Sequence, residues 1–324
     1  MCFLLGRILI TGVASSLGAD LARRLDADSK PGQLIGLDLE QPPYRLRRMR
    51  FVKADLRHPN ASEVVRRLAP EVVVHLALRI SSATESRRPS HELNVIGTMN
   101  LLAGARSARR LVLKSSTAVY ASGLRMPSLL REEDSNRFAP PGPGGRDLLE
   151  VESLLHDQYL ANPGLTVTVL RLGQRLGSRR SRPSPLSEYL ALPRPPTVAG
   201  FDPRIQLLAE EDAVEALQRA AVADHAGTYT VAGHGVILLS QLLRQAGRPP
   251  APLLPPVGGR FLQAQAYRAI TGRVPPEYLL ELVTGGQVAD TTSLLHEFGW
   301  RPPRSSREVA AAFFELPAEL ARAG

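Results

Sequence analysis

The sequence predicts an α/β fold: a doubly wound parallel sheet followed by a smaller, mostly helical C-terminal lobe. Three observations carry that expectation. In the first half, short β-branched or leucine-rich runs alternate with stretches of helical period, the pattern of βαβ units feeding a parallel sheet. After Arg171 the texture changes to Arg-, Ser- and Pro-rich sequence through Pro203. From about Gly233 onward, helical segments are separated by proline pairs such as Pro249-Pro250 and Pro255-Pro256, without an internal repeat or a long low-complexity tail.

Taken in order, the strands fall at 7–11, 33–38, 50–53, 72–76, 111–115 and 166–171, with helical segments between most of them. A helical run at 210–223 and a strand at 227–231 return to the same texture after the interruption. The expected division is residues 1–172 with about 205–232 as one domain, and about 173–204 with 233–324 as a second lobe.

Composition narrows the class. At 324 residues and 44% hydrophobic content the chain can bury a large core. It has no apolar run near the roughly 18 residues of a membrane helix, and its first ten residues are too short for a secretory signal. A cytoplasmic protein without membrane contact is expected. Cys2 is the one cysteine, which excludes an internal disulfide and a multi-cysteine zinc site. The formal charge is +9, yet the lysines are only Lys30, Lys53 and Lys114, and arginine is scattered in short pairs such as Arg23-Arg24 and Arg66-Arg67. With aromatics at 5% there is no stacking platform beside a basic stripe, so no nucleic-acid partner is expected.

The segment Ile8-Leu9-Ile10-Thr11-Gly12-Val13-Ala14-Ser15-Ser16-Leu17-Gly18 reads as a buried strand, a small-residue turn and a helix start. Gly12 permits a tight turn and Gly18 lets helix and strand pack closely. The free N–H groups at a helix start attract a pyrophosphate. This is a Rossmann-type arrangement with Ser15 in place of the middle glycine, a residue small enough to hydrogen-bond phosphate but leaving less room for the backbone to approach. Twenty residues beyond Gly18, Asp38 ends the second strand, where a carboxylate accepts from the adenosine ribose hydroxyls and repels a 2′-phosphate. A strand-end turn or a helix cap is the simpler use of such a residue. The reading favours NAD over NADP, while Arg45, Arg47 and Arg48 keep NADP open.

The order of motifs resembles the extended short-chain dehydrogenase/reductase family, the NAD-dependent epimerases and dehydratases. Beyond the glycine turn, Ala54-Asp55-Leu56-Arg57 is similar to the family's adenine-contacting pair, and Val74-His75-Leu76-Ala77 to its strand beside adenine and pyrophosphate. Asn94-Val95-Ile96-Gly97-Thr98 resembles its central helix start, and Lys114-Ser115-Ser116-Thr117-Ala118-Val119-Tyr120 its active-site strand. Val169-Leu170-Arg171, Glu211-Asp212-Ala213 and Phe298-Gly299-Trp300-Arg301-Pro302 continue the match. The resemblance implies a cofactor set of Gly12, Ala14, Ser15, Ser16, Leu17, Gly18, Asp38, Asp55, Leu56, Leu76, Ala77 and Asn94, and no metal. It also implies a homodimer packed through helices near 92–106 and 146–161.

The family's chemistry uses a Tyr that exchanges a proton and a Lys four residues later that lowers its pKa. The sequence contains no Tyr-x-x-x-Lys, and the matching positions are Gly144 and Leu148. Ser116 matches the family's Ser/Thr that hydrogen-bonds the reacting oxygen, or satisfies backbone at a strand end. Where the family's dehydratases carry an Asp-Glu pair stand Thr117 and Ala118, and where its epimerases place a diphosphate-binding Arg stands Ile205, with Arg204 one residue away. The run 139–145 is expected either to fill the nicotinamide side or to remain mobile. Arg175, Arg179, Arg180 and Arg182 either line an anionic cleft for an unknown small molecule or are solvated loop charges. His75 is expected to be a packed strand histidine. Three readings follow. The chain is an NAD(H)-binding member without standard catalysis, an active oxidoreductase or epimerase using Lys114, Tyr120 or a second-lobe residue as acid/base, or a nucleotide-free scaffold.

Overall fold

The computed structural model describes residues 6–28, 33–80, 87–121, 126–138, 142–177, 184–253, 264–265, 267–269, 272 and 275–315. Strand β1 (Ile8–Thr11) is buried at every position, as a central parallel strand covered on both faces must be. It leads through the glycine turn into α1 (Ser16–Asp28). Then follow β2 (Leu34–Asp38), β3 (Arg50–Lys53), α2 (Ala61–Leu68) and β4 (Val72–His75). Helix α3 (Arg87–His91) runs through a π-helical turn, Glu92–Ile96, into α4 (Gly97–Gly104). After β5 (Arg110–Ser116) come α5 (Asp134–Arg137), α6 (Gly142–Ala161), β6 (Thr166–Leu172) and β7 (Gln174–Leu176). Next are α7 (Pro185–Leu190), β8 (Pro196–Val198), β9 (Arg204–Ile205), β10 (Leu207–Ala209), α8 (Glu210–Val222), β11 (Gly227–Val231), β12 (Ile237–Leu238), α9 (Leu239–Gln245) and β13 (Ala251–Leu253). Helices Glu277–Gly285, Thr292–His296 and Ser306–Phe313 follow.

Seven strands form one parallel sheet in the order β11-β6-β5-β4-β1-β2-β3. Ile8 pairs with Leu34 on one side and Val72 on the other. The strand order therefore reverses at β1, and the crevice outside the carboxyl ends of β1 and β4 is where such a sheet receives ligands. Leu56, Val65, Leu101, Leu113, Leu148 and Val151 pack α2, α4 and α6 on one face. Ile10, Leu21, Val74, Val112, Leu217 and Phe298 pack α1 and α8 on the other. A third apolar cluster, including Leu176, Tyr189, Leu207, Leu242, Leu282 and Val309, lies beside the sheet with the short strand pairs β7/β10, β9/β12 and β8/β13.

The seven strands of the central sheet lie within one residue of the expected ones, whereas the short strands β7, β8, β9, β10, β12 and β13 were not expected. In the described part of the run 139–145, Gly142 to Gly145 form the first turn of α6. Pro143 is compatible there because the first turn of a helix needs no N–H from it. Residues 139–141 lie outside the described residues. Among the described residues, no helix is long and apolar enough to cross a membrane.

Candidate functional site

The turn between β1 and α1 is built by steric exclusion. Gly12 adopts φ +75°, and a Cβ on it would lie 2.7 Å from the Ala77 backbone nitrogen. A Cβ on Gly18 would come within 2.2 Å of the Gly12 carbonyl oxygen. Ser15 completes the turn itself. Its hydroxyl donates to the Gly12 carbonyl at 2.7 Å and accepts from the Gly18 N–H at 3.1 Å, capping α1. The Ser15 hydroxyl is thus engaged within the turn, and the residue also lines the cavity described below. The Ser16 and Leu17 N–H groups, at the positive end of α1, have no partner among the described residues.

Asp38 closes the far side of the turn. Its carboxylate accepts from Ala14 N–H at 2.9 Å and Leu39 N–H at 2.7 Å, which fixes it beside the glycine turn with lone pairs remaining. Of the arginines that kept a 2′-phosphate open, Arg48 has its guanidinium engaged elsewhere. The Arg47 and Arg48 N–H groups donate to Asp26, and the Arg48 guanidinium donates to the Ala27 carbonyl at the opposite end of α1. Asp55 is held by Arg57 at 2.7 Å, which keeps its carboxyl below the ordinary range, and Leu56 is buried. Asn94 brackets Arg79, accepting from its N–H at 2.8 Å and donating to its carbonyl at 2.7 Å, and so positions the chain leaving β4.

A cavity of about 550 Å³ opens at the carboxyl ends of β1, β4 and β5. Ser15, Ser16, Leu17, Leu76, Leu78, Lys114, Arg175 and Glu210 form its sheet side, and α7 with Arg248, Phe313 and Phe314 forms the other. The Lys114 ammonium donates to the Leu78 carbonyl at 3.2 Å. Burial, and then the charge of Arg175, push Lys114 down to about 7. His75, next to it in the sheet, is a packed strand histidine. It bonds Thr11 at 2.6 Å and Thr98 at 2.9 Å, and burial together with Lys114 push it down to about 3. Ser16 Oγ donates to Glu210 at 2.8 Å, and Arg175 lies 3.9 Å from the same carboxylate oxygen.

On the other side of β5, α6 presents a stripe of residues at a spacing of four. Gly144 faces Ile80, whose Cγ2 would be 2.8 Å from an added Cβ. Leu148 is 1% exposed in the core, and Glu152 pairs with Arg171 at 2.6 Å while accepting from Ser115 at 2.5 Å. Ser116 accepts from the Ala118 N–H at 3.2 Å and caps the short turn that follows. Tyr120 does not qualify as an acid/base group. It is 1% exposed, its hydroxyl meets Thr230 at 2.8 Å and Arg171 at 3.0 Å, and burial pushes it up.

Glu210 and the α7 wall were not visible in the sequence as site residues. Glu210 reads there only as an acid opening a helix, a useful place for one, and its partner Ser16 is 194 positions away. Arg175 lines the cavity, whereas Arg179, Arg180 and Arg182 lie outside the described residues. Ile205 is buried and Arg204 is exposed.

The model of the NAD dependent epimerase/dehydratase family matches residues 8–232. An uncharacterized protein of Mycobacterium tuberculosis is 35% identical over 317 residues, covering 95% of this chain and 83% of the relative. The fold is similar to that of UDP-glucose 4-epimerase from Thermotoga maritima, solved with UDP-glucose, with TM-score 0.71 and 18% identity over 95% of this chain and 97% of that one. It is also similar to MoeE5 solved with UDP-glucuronic acid and NAD, with TM-score 0.72 and 19% identity over 96% and 98%.

Proposed function

The chain belongs to the NAD-dependent epimerase/dehydratase family, and from that premise we propose that it holds NAD(H) in preference to NADP(H) without the family's Tyr-x-x-x-Lys proton transfer. The glycine turn suits a dinucleotide, since Gly12 and Gly18, where an added Cβ would strike the backbone of Ala77 and of Gly12, bring the strand, turn and helix start close together. The Ser16 and Leu17 N–H groups suit the pyrophosphate. Asp38 suits the adenosine ribose and disfavours a 2′-phosphate, and the Arg48 guanidinium is bonded at the other end of α1. A nicotinamide cofactor, when bound, accepts or returns a hydride. The protein must supply the accompanying proton transfer.

The observation that carries the catalytic half is the α6 stripe: a glycine against Ile80 and a leucine in the core stand where tyrosine and lysine would act. Ser116 can orient an oxygen but is too weak a base to take a proton from it. Hydride transfer to or from sugar-type substrates should then be absent or very slow. NADH titration followed by turnover assays with oxidised and reduced cofactor tests both halves. Binding without turnover supports the reading, and turnover comparable to that of ordinary enzymes, 1–10³ s⁻¹, would sink it.

One specific observation favours a second reading, in which the protein is an active oxidoreductase or epimerase. Lys114 faces the cavity and titrates close to neutrality, so it has the properties of an acid/base group at another point of the cleft.

A further inference from the structure

Lys114 is set apart from the other charged groups of the molecule by where it sits. It is carried by the sheet, two residues before the end of β5, and its ammonium is tied to the carboxyl end of β4 by the Leu78 carbonyl. Leu76 and Leu78 line the same cavity as the Ser15–Ser16–Leu17 turn, so Lys114 and the N-terminus of α1 address one space.

The groups around it do not balance its charge. Arg175 on β7 opposes it, and His75 on β4 is bonded to two threonines and neutral. Glu210 on α8 is engaged by Ser16 and lies 3.9 Å from Arg175, while Glu188 on α7 and Arg248 beyond α9 line the same cavity. In the free protein burial and Arg175 bring the amine down to about 7, so it loses its charge as pH rises above neutrality. An anion entering the cavity beside α1 shifts that balance toward the ammonium, because a nearby opposite charge favours the charged form of a buried group.

We propose that Lys114 is a dinucleotide-contacting residue that takes up a proton from solvent when a pyrophosphate enters the cavity. This rests on the NAD(H) reading above. The amine becomes an ammonium, and the proton comes from the buffer. No bond other than N–H is made. Sequence resemblance gives no such role to this strand position.

The sign of the pH dependence follows from linkage. Binding that raises the pKa of a group makes the complex hold more protons than the free protein, so affinity is highest at low pH and falls as pH rises through the window above about 7. The fall approaches about tenfold per pH unit at most.

The test is calorimetric titration of the whole protein with NADH at pH 6.5, 7.5 and 8.5, in phosphate and in Tris. The expected result is a Kd that rises about ten- to twentyfold over that range, with roughly half a proton or more taken up per NADH at pH 8.5. Lys114→Met should bind more weakly at pH 6.5, with a Kd independent of pH. The protein has three lysines, so reductive methylation with ¹³C-formaldehyde supplies a readout on the unmutated chain. The resonance absent from Lys114→Met should titrate near 7 and move upward with NADH. NADH binding with a pH-independent Kd and no proton uptake overturns the inference while leaving the cofactor reading intact. Absence of NADH binding at every pH overturns both.

Discussion

Arg171 donates to both carboxylate oxygens of Glu152, at 3.1 Å from Nε to Oε1 and 2.6 Å from Nη2 to Oε2, and this pair fixes the register of α6 against β5 and β6. With Glu152 also accepting from Ser115, the residues four and eight positions earlier, Leu148 and Gly144, must face the same side of the sheet. The two positions that the resemblance matches to the family's Tyr and Lys therefore lie on the sheet-facing side of α6.

The pair is buried, with side chains 5% and 10% exposed. Glu152→Ala leaves the Arg171 guanidinium without its counter-charge and should cost about 3–5 kcal/mol in urea unfolding. Glu152→Gln combined with Arg171→Met should recover part of that loss. A cost below about 1 kcal/mol for Glu152→Ala would mean that the pair does not fix the helix.

Restoring the missing pair should fail. Gly144→Tyr must displace Ile80, and Leu148→Lys places an ammonium in an apolar core, so the double variant should lose several kcal/mol of stability without gaining turnover. A variant with unchanged Tm that oxidises or epimerises a sugar nucleotide would show that the remaining machinery is intact.

Asp38→Ser should weaken NADH binding about tenfold or more and narrow the preference over NADPH, since the carboxylate both accepts hydroxyl hydrogen bonds and repels a 2′-phosphate. Fluorescence titration with both nucleotides checks it. The backbone bonds from Ala14 and Leu39 also depend on Asp38, so unfolding should be measured in parallel.

Acid should destabilise the protein through His75. Its folded pKa is depressed to about 3 against an unfolded value near 6.5. The unfolded chain therefore binds the extra proton between those limits, and stability falls as pH drops below about 6.5. The loss reaches roughly 2–3 kcal/mol by pH 4.5, at about 1.4 kcal/mol per pH unit. Unfolding of His75→Gln should lose this slope. An unchanged slope would assign the acid sensitivity to other groups.

Legibility in the sequence followed the range of the interactions. Strands such as β1 and β4 were readable because burial on both faces demands an unbroken apolar run. Gly12 and Gly18 were readable because close backbone approach excludes other residues. The start of α6 is not signalled by residue type, because Gly142-Pro143-Gly144-Gly145 has low helix propensity, and the helix is held by packing and by Glu152 further along. The capping role of Ser15 was not read from the sequence, because residue type alone does not show which turn atoms its hydroxyl meets. Glu210 with Ser16, and Lys114 with Leu78 and Arg175, depend on segments far apart in the chain. No local pattern announces them.

The most direct measurement is a fluorescence titration of the purified protein with NADH, repeated with NADPH. The account predicts saturable binding of NADH that is clearly tighter than that of NADPH. Failure to bind either nucleotide, or tighter binding of NADPH, would contradict it.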